Sequence, residues 1–323
     1  MTIRRFASIL GLLLFAVTPE VRAVDPKPVK VFILAGQSNM EGQAVADLEG
    51  KDYNQGKGTL KALLNDPARA KLVQHLRTAK GEWVVRDDVW VRYRREKQPL
   101  LAGPLSIGFA VYGGTHHFGP ELQFGHIIGD HCANQVLLIK TAWGGKSLYK
   151  DFRPPSSGGE VGPYYSKMIA EVREALKNLK TDFPKYANQG YELAGFVWYH
   201  GWNDGVDPKN AVPQYEQNLV NLIKDVRKEF QTPKLPVVIG ELTGPWVEAP
   251  GSWATLRKAQ AAAARPEFQG NVLFVETHDF VRAAKESPNP GHGHHEFGNA
   301  ETYFLVGDAL GKGMVKLLAA NKN

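Results

Sequence analysis

Residues 29–42 read V-K-V-F-I-L-A-G-Q-S-N-M-E-G. The first seven form a short apolar run rich in β-branched residues and broken at Gly36, the pattern of a strand buried on both faces of a parallel sheet. The polar, glycine-bracketed residues that follow carry Ser38 into a sharp turn. Working outward, four more runs of this kind appear: residues 135–143 (Q-V-L-L-I-K-T-A-W), 193–200 (L-A-G-F-V-W-Y-H), 236–242 (P-V-V-I-G-E-L) and 271–277 (N-V-L-F-V-E-T). Helical patterns lie between them, at 121–131, 164–179, 212–230 and 252–264, and a last one follows at 300–318. This alternation predicts an α/β fold of three layers, α/β/α, around a five-stranded parallel sheet covered on both faces. Residues 44–119 break the alternation with a helical stretch at 60–76, a strand-like stretch at 83–93 and Gly-rich turns. They read as an insertion after the first strand that shapes the crevice.

The bulk properties agree with one large α/β domain over residues 24–323. The chain has 323 residues, 43% hydrophobic and 22% charged, which excludes wholesale disorder, collagen and coiled coil. The formal charge of +6 is small for this length and gives little support to a nucleic-acid partner. Part of it sits at the amino terminus, where Arg4 and Arg5 precede an apolar run over 6–17, then Pro19, Glu20 and Val21-Arg22-Ala23. That is the layout of a secretory signal peptide over residues 1–23, too short in its apolar run to span a bilayer. Its removal takes away three arginines and one glutamate, leaving +6 − 3 + 1 = +4. The expected location is therefore secreted or periplasmic, with no membrane association after cleavage. Cys132 is the only cysteine, so no intrachain disulfide can form and the core alone holds the fold.

In doubly wound sheets the ligand crevice opens beyond the carboxyl ends of the strands, so the residues after each run are the ones to search for chemistry. The first run delivers Ser38, a candidate nucleophile or a simple helix cap. The second ends in T-A-W-G-G-K-S, where Gly144 and Gly145 can turn backbone N–H groups toward a ligand oxygen or merely form a tight turn. The third ends in W-Y-H-G-W-N-D, residues 198–204, a dense set of aromatic and polar groups suited to a polar ring-shaped ligand. Before the last helix comes G-H-G-H-H-E-F, residues 291–297. A serine needs a base to take its proton, and histidine is the usual one. The competing readings of His292, His294 and His295 are a metal site and a solvated loop. For an acid to orient the base, Asp204, Asp279 and Glu241 each follow a different strand, and spacing does not choose among them.

Taken in order, G-Q-S-N-M-E-G, the Trp-Gly-Gly turn, W-Y-H-G-W-N-D and a late His before the final helix resemble the SGNH hydrolase superfamily, specifically its branch of sialate O-acetylesterase-like domains and family 6 carbohydrate esterases. The resemblance implies a flavodoxin-like sheet and a serine esterase that removes O-acetyl groups from carbohydrates, with no metal or other cofactor. It matches Ser38 to the nucleophile and His295, rather than His294, to the base. Ser38 and Gly145 would supply oxyanion N–H groups. Two departures stand out. His200 occupies the place of a glutamine that donates to the oxyanion, with Asn203 as a second donor, and Trp202 replaces a glutamate. The acid three residues before the histidine is missing, so it comes from elsewhere, Asp204 or Asp279, or a Ser-His dyad suffices. Gln37, Trp202, Asp204 and His294 are the expected substrate-binding residues, and Glu121 of the G-P-E turn is expected to be structural. The alternative is a carbohydrate-binding protein that keeps the fold without turnover.

Overall fold

A computed structural model of the protein describes residues 27–268 and 270–320. The expected signal peptide lies outside these residues. Seven strands form the main sheet: β1 (Val29–Gly36), β2 (Arg86–Arg94), β3 (Leu100–Leu105), β4 (Val136–Ala142), β5 (Tyr191–Tyr199), β6 (Val237–Gly240) and β7 (Val272–Val275), in the order β3-β2-β4-β1-β5-β6-β7. All neighbours pair in parallel except β3, which runs antiparallel to β2 at one edge. The five expected strands are all present, and among themselves they take the order 2-1-3-4-5 of a flavodoxin-like sheet.

The sheet has seven strands rather than five because the expected insertion contributes two of its own. Its strand-like stretch reads as half-exposed, since R-D-D-V-W-V-R-Y-R carries five charges, yet Val89 to Tyr93 are buried in succession. What makes that burial tolerable is a set of carboxylates: Arg92, 1% exposed, donates to Asp182 at 2.7 Å, Glu174 at 2.8 Å and Glu171 at 3.2 Å. The helical stretch expected at 60–76 is also divided, into Leu60–Leu64, Ala70–Val73 and a 3₁₀ turn at Gln74–Leu76. Asp66-Pro67 separates the first two, as proline breaks a helix.

Helices cover both faces. On one side α2 (Pro163–Lys177), α3 (Tyr215–Glu229) and α4 (Gly251–Ala262) bury Met168, Val172, Leu219, Ile223 and Leu256 against the sheet. On the other, α1 (Glu121–His131) and α5 (Ala300–Ala320) bury Phe124, Ile128, Val306, Leu310 and Met314. Between the layers lies a buried ion pair, with Lys140 Nζ 2.8 Å from Glu121 Oε2 and both side chains fully enclosed. The same ammonium donates to the carbonyls of Glu41 at 2.9 Å and Phe109 at 2.5 Å, so one cation joins β4, α1, the serine turn and the inserted segment. Glu121 is thereby structural.

Candidate active site

The strand order reverses direction between β1 and β5, and the crevice expected at that switch point is where the motif residues gather. β1 is central and almost wholly buried. At its end the chain turns so hard against β5 that a Cβ on Gly36 would fall on the Tyr199 carbonyl oxygen. Ser38 then opens a single helical turn, Ser38–Glu41, closed by the N–H of Gly42 on the Ser38 carbonyl at 3.1 Å. Gly42 has φ +98° and presses on Gly119, whose N would lie 2.6 Å from any Cβ there. Both ends of the turn therefore require glycine.

Ser38, Glu41, Gln43, Gly144 and Gly145 line a cleft of about 400 Å³ together with Trp202, Asn203, His294 and His295. Its floor is tight: a Cβ on Gly144 would stand 3.4 Å from Ser38 Cβ and 2.9 Å from Glu41 Oε2. Gly145, with φ +73° and open space before it, leaves its backbone free to meet a ligand. Glu41 accepts from the Tyr93 hydroxyl at 2.7 Å, and burial raises its pKa. A larger groove of about 700 Å³ lies at the opposite, amino-terminal edge of the sheet near Lys30, Leu235 and Leu318, and none of the strand-end motifs reaches it.

The structure divides the sequence candidates into those that face the cleft and those that hold it. Gln37, expected to bind substrate, is 1% exposed, and its Oε1 accepts from the Asn203 N–H at 3.3 Å. His200, expected as an oxyanion donor, is buried behind the cleft, where burial pushes its pKa down to about 4. A neutral imidazole has one hydrogen. Its Nε2 sits 2.9 Å from the Lys146 carbonyl, which can only accept, and Nδ1 faces the Tyr215 hydroxyl at 3.2 Å. That hydrogen is thus committed to the turn after Gly145 and is not offered to a ligand. Asp204, fully buried, accepts from the N–H groups of Leu148 at 2.8 Å and Tyr149 at 2.9 Å, and burial raises its pKa to about 7. Asp279 keeps an 81% exposed side chain 3.8 Å from His278, and Glu241 accepts from His278 Nδ1 at 2.8 Å. The structure brings none of these three carboxylates to His295.

His295 is flanked by imidazoles instead, with ring centroids 4.0 Å from His294 and 6.4 Å from His292. Burial, with smaller contributions from those two rings, lowers its pKa to about 4. Among the described residues no group of three His, Cys, Asp or Glu side chains is arranged to hold a metal ion. What the motif reading missed is how the neighbours of Ser38 and His295 are tied. Asn39 Nδ2 donates to Glu296 Oε1 at 3.3 Å, and that oxygen also accepts from the Gly244 N–H at 2.9 Å. The Tyr303 hydroxyl lies 2.7 Å from Asn39 Oδ1 and 3.3 Å from the His295 carbonyl. Glu296 has φ +51° and a buried carboxyl whose pKa is raised to about 8, so it stays protonated at neutral pH.

The model of the family described as "carbohydrate esterase, sialic acid-specific acetylesterase" matches residues 28–301. The chain belongs to this family. It is accordingly a carboxylic ester hydrolase of the carbohydrate acetylesterase group. A probable carbohydrate esterase of Arabidopsis thaliana is 24% identical over 223 residues, 68% of this chain and 71% of that relative. Among solved structures, an Arabidopsis thaliana protein aligns with TM-score 0.55 and 16% identity over 90% of this chain and 98% of its own. A carbohydrate acetylesterase from Xanthomonas citri aligns with TM-score 0.52 and 14% identity, over 90% of this chain and 57% of its own. At such identities the two structures speak for the fold.

Proposed function

We propose that the protein is an exported serine O-acetylesterase, a single domain released by signal cleavage, that deacetylates a carbohydrate through an acetyl-serine intermediate on a Ser38–His295 dyad. The observation that carries this reading is the gathering of Ser38, Gly145, Asn203 and His295 around one cleft at the switch point of the sheet. With its pKa near 4, His295 is the free base at neutral pH and takes the Ser38 proton as Oγ attacks the acetyl carbonyl. The negative oxygen that forms is held by the N–H groups of Ser38 and Gly145 and by the Asn203 side chain. Collapse breaks the ester bond, and the departing sugar oxygen takes the proton back from His295. Water, deprotonated by the same imidazole, then attacks the acetyl-serine and releases acetate.

In this reading His200 and Asp204 act from behind, fixing the 146–149 turn that carries the Gly145 N–H, and Gln37 fixes Asn203. The test is hydrolysis of p-nitrophenyl acetate by residues 24–323. Ser38→Ala and His295→Ala are each expected to lower kcat by about a thousandfold or more, and a chelator is expected to leave the rate unchanged. Full activity in Ser38→Ala overturns the mechanism, and loss of activity with chelator transfers the chemistry to a metal.

A further inference from the structure

Beside the catalytic residues stands an aromatic wall that the reaction does not use. Trp202 and Trp246 lie nearly parallel, 10° apart with centroids at 5.9 Å, and Trp253 closes on them at 4.6 and 5.2 Å. His294 joins from the cleft side, 5.8 Å from Trp202. All three indoles remain partly exposed. The wall is built into the fold and is not a chance collapse of side chains. Gly205 leaves the space that the Trp253 ring occupies, since a Cβ there would fall on that ring. Arg257 donates to the carbonyls of Leu242, Thr243, Trp246 and Val247, which fixes the loop that presents Trp246.

The charge of the cleft points the same way. Among the described residues no lysine or arginine lines it, and its one carboxyl is that of Glu41. Lys146, although next to Gly145, holds its ammonium 4.3 Å over the Tyr164 ring. Arg257 is committed to carbonyls, and Lys140 to Glu121. A sugar that carries its own carboxylate would therefore enter beside Glu41 with no cation to meet it, whereas an uncharged pyranose can lay its apolar C–H face on an indole.

Resting on the esterase reading above, we infer that the Trp202–Trp246–Trp253 wall is a subsite for an uncharged pyranose ring, so that the substrate is an acetylated neutral glycan and not an O-acetylated sialic acid. The wall binds the ring that bears or adjoins the ester, while the acetyl group reaches Ser38.

The experiment compares kcat/KM on three probes: p-nitrophenyl acetate, an O-acetylated xylo-oligosaccharide and O-acetyl-N-acetylneuraminic acid. The neutral oligosaccharide is expected to exceed the sialic acid by about tenfold or more, equivalent to one lost stacking or charge contact. Trp246→Ala is expected to raise KM for the oligosaccharide about tenfold more than KM for p-nitrophenyl acetate, and Trp246→Phe to recover most of that loss. Equal or better turnover of the sialic acid overturns the inference, as does a Trp246→Ala variant that, while folded, shifts both KM values alike. Absence of Ser38-dependent turnover of p-nitrophenyl acetate sinks the esterase reading itself and is distinguishable from either result.

Discussion

The imidazole of His295 and the glycine ahead of Ser38 make opposite demands on their surroundings. As the proposed base, His295 needs an environment that keeps it unprotonated, and burial beside two other imidazoles does this by lowering its pKa to about 4. The base form is then complete at neutral pH and is lost only as the pH falls toward 4. The acid limb of kcat/KM is accordingly expected near pH 4, and a limb at the ordinary histidine value of 6.5 would contradict the assignment. Gly36 needs the absence of a side chain, because β1 and β5 meet where a Cβ would stand. Gly36→Ala is expected to cost about 3 kcal/mol in urea unfolding and to move Ser38; an unchanged midpoint would show that β5 yields. Both residues stood out in the sequence, Gly36 as the end of an apolar run and His295 by its place before the last helix. That none of Asp204, Asp279 and Glu241 reaches His295 did not, because which carboxylate meets an imidazole depends on side-chain direction across three loops. Spacing along the chain carries no such information.

Among the elements, the turns at the carboxyl edge of the sheet hold one another through side chains that flank Ser38 and His295. Gln37 holds the loop after β5, His200 and Asp204 hold the loop after β4, and Asn39 holds the turn before α5 through Glu296 and Tyr303. A loop pinned in this way keeps Ser38 and His295 at fixed separation, which is worth more to kcat than to binding. Tyr303→Phe is expected to lower kcat about tenfold with little change in KM; a change confined to KM would place Tyr303 in binding instead. Glu296 adds a pH dependence. Its folded pKa is lifted from 4.5 to about 8, so the folded state holds a proton that the unfolded chain releases. The groups facing it are the amide of Asn39, the Gly244 N–H and, at longer range, Arg257, Tyr199 and Tyr303. Stability conferred by the neutral carboxyl is therefore full below about pH 4.5 and declines as the pH rises to about 8. Unfolding followed between pH 5 and 9 should show this decline in the wild type and a flatter profile in Glu296→Gln. These ties were illegible in the sequence, since the motif residues that serve as fasteners look the same, in one dimension, as those that face the ligand.

On the scale of the whole molecule, the five strands with plain apolar runs were readable because a parallel strand buried on both faces leaves an unmistakable mark. β2 was legible as a strand but not as a buried member of the main sheet, because its buried Arg92 is matched by carboxylates from α2 and the turn after it, a compensation visible only once the layers are assembled. The Lys140–Glu121 pair is the same device at the centre of the fold. Glu121→Ala leaves a buried ammonium without its partner and is expected to cost about 3–5 kcal/mol, whereas Lys140→Met combined with Glu121→Leu should recover much of it. Chemical denaturation of the three proteins decides this, and a double variant no better than the single one would show that the carbonyl contacts of Lys140 dominate. The aromatic wall has one further consequence. Three of the seven tryptophans stand within stacking distance of each other, and Trp202 within that distance of His294 at the cleft, while Trp143 and Trp198 are sealed in the core. Indoles this close share their excited states, and a neighbouring imidazole quenches them when it takes up a proton. The protein therefore carries its own optical probe: a ligand seated on the wall, or a proton on His294, should register in the intrinsic emission without any added label.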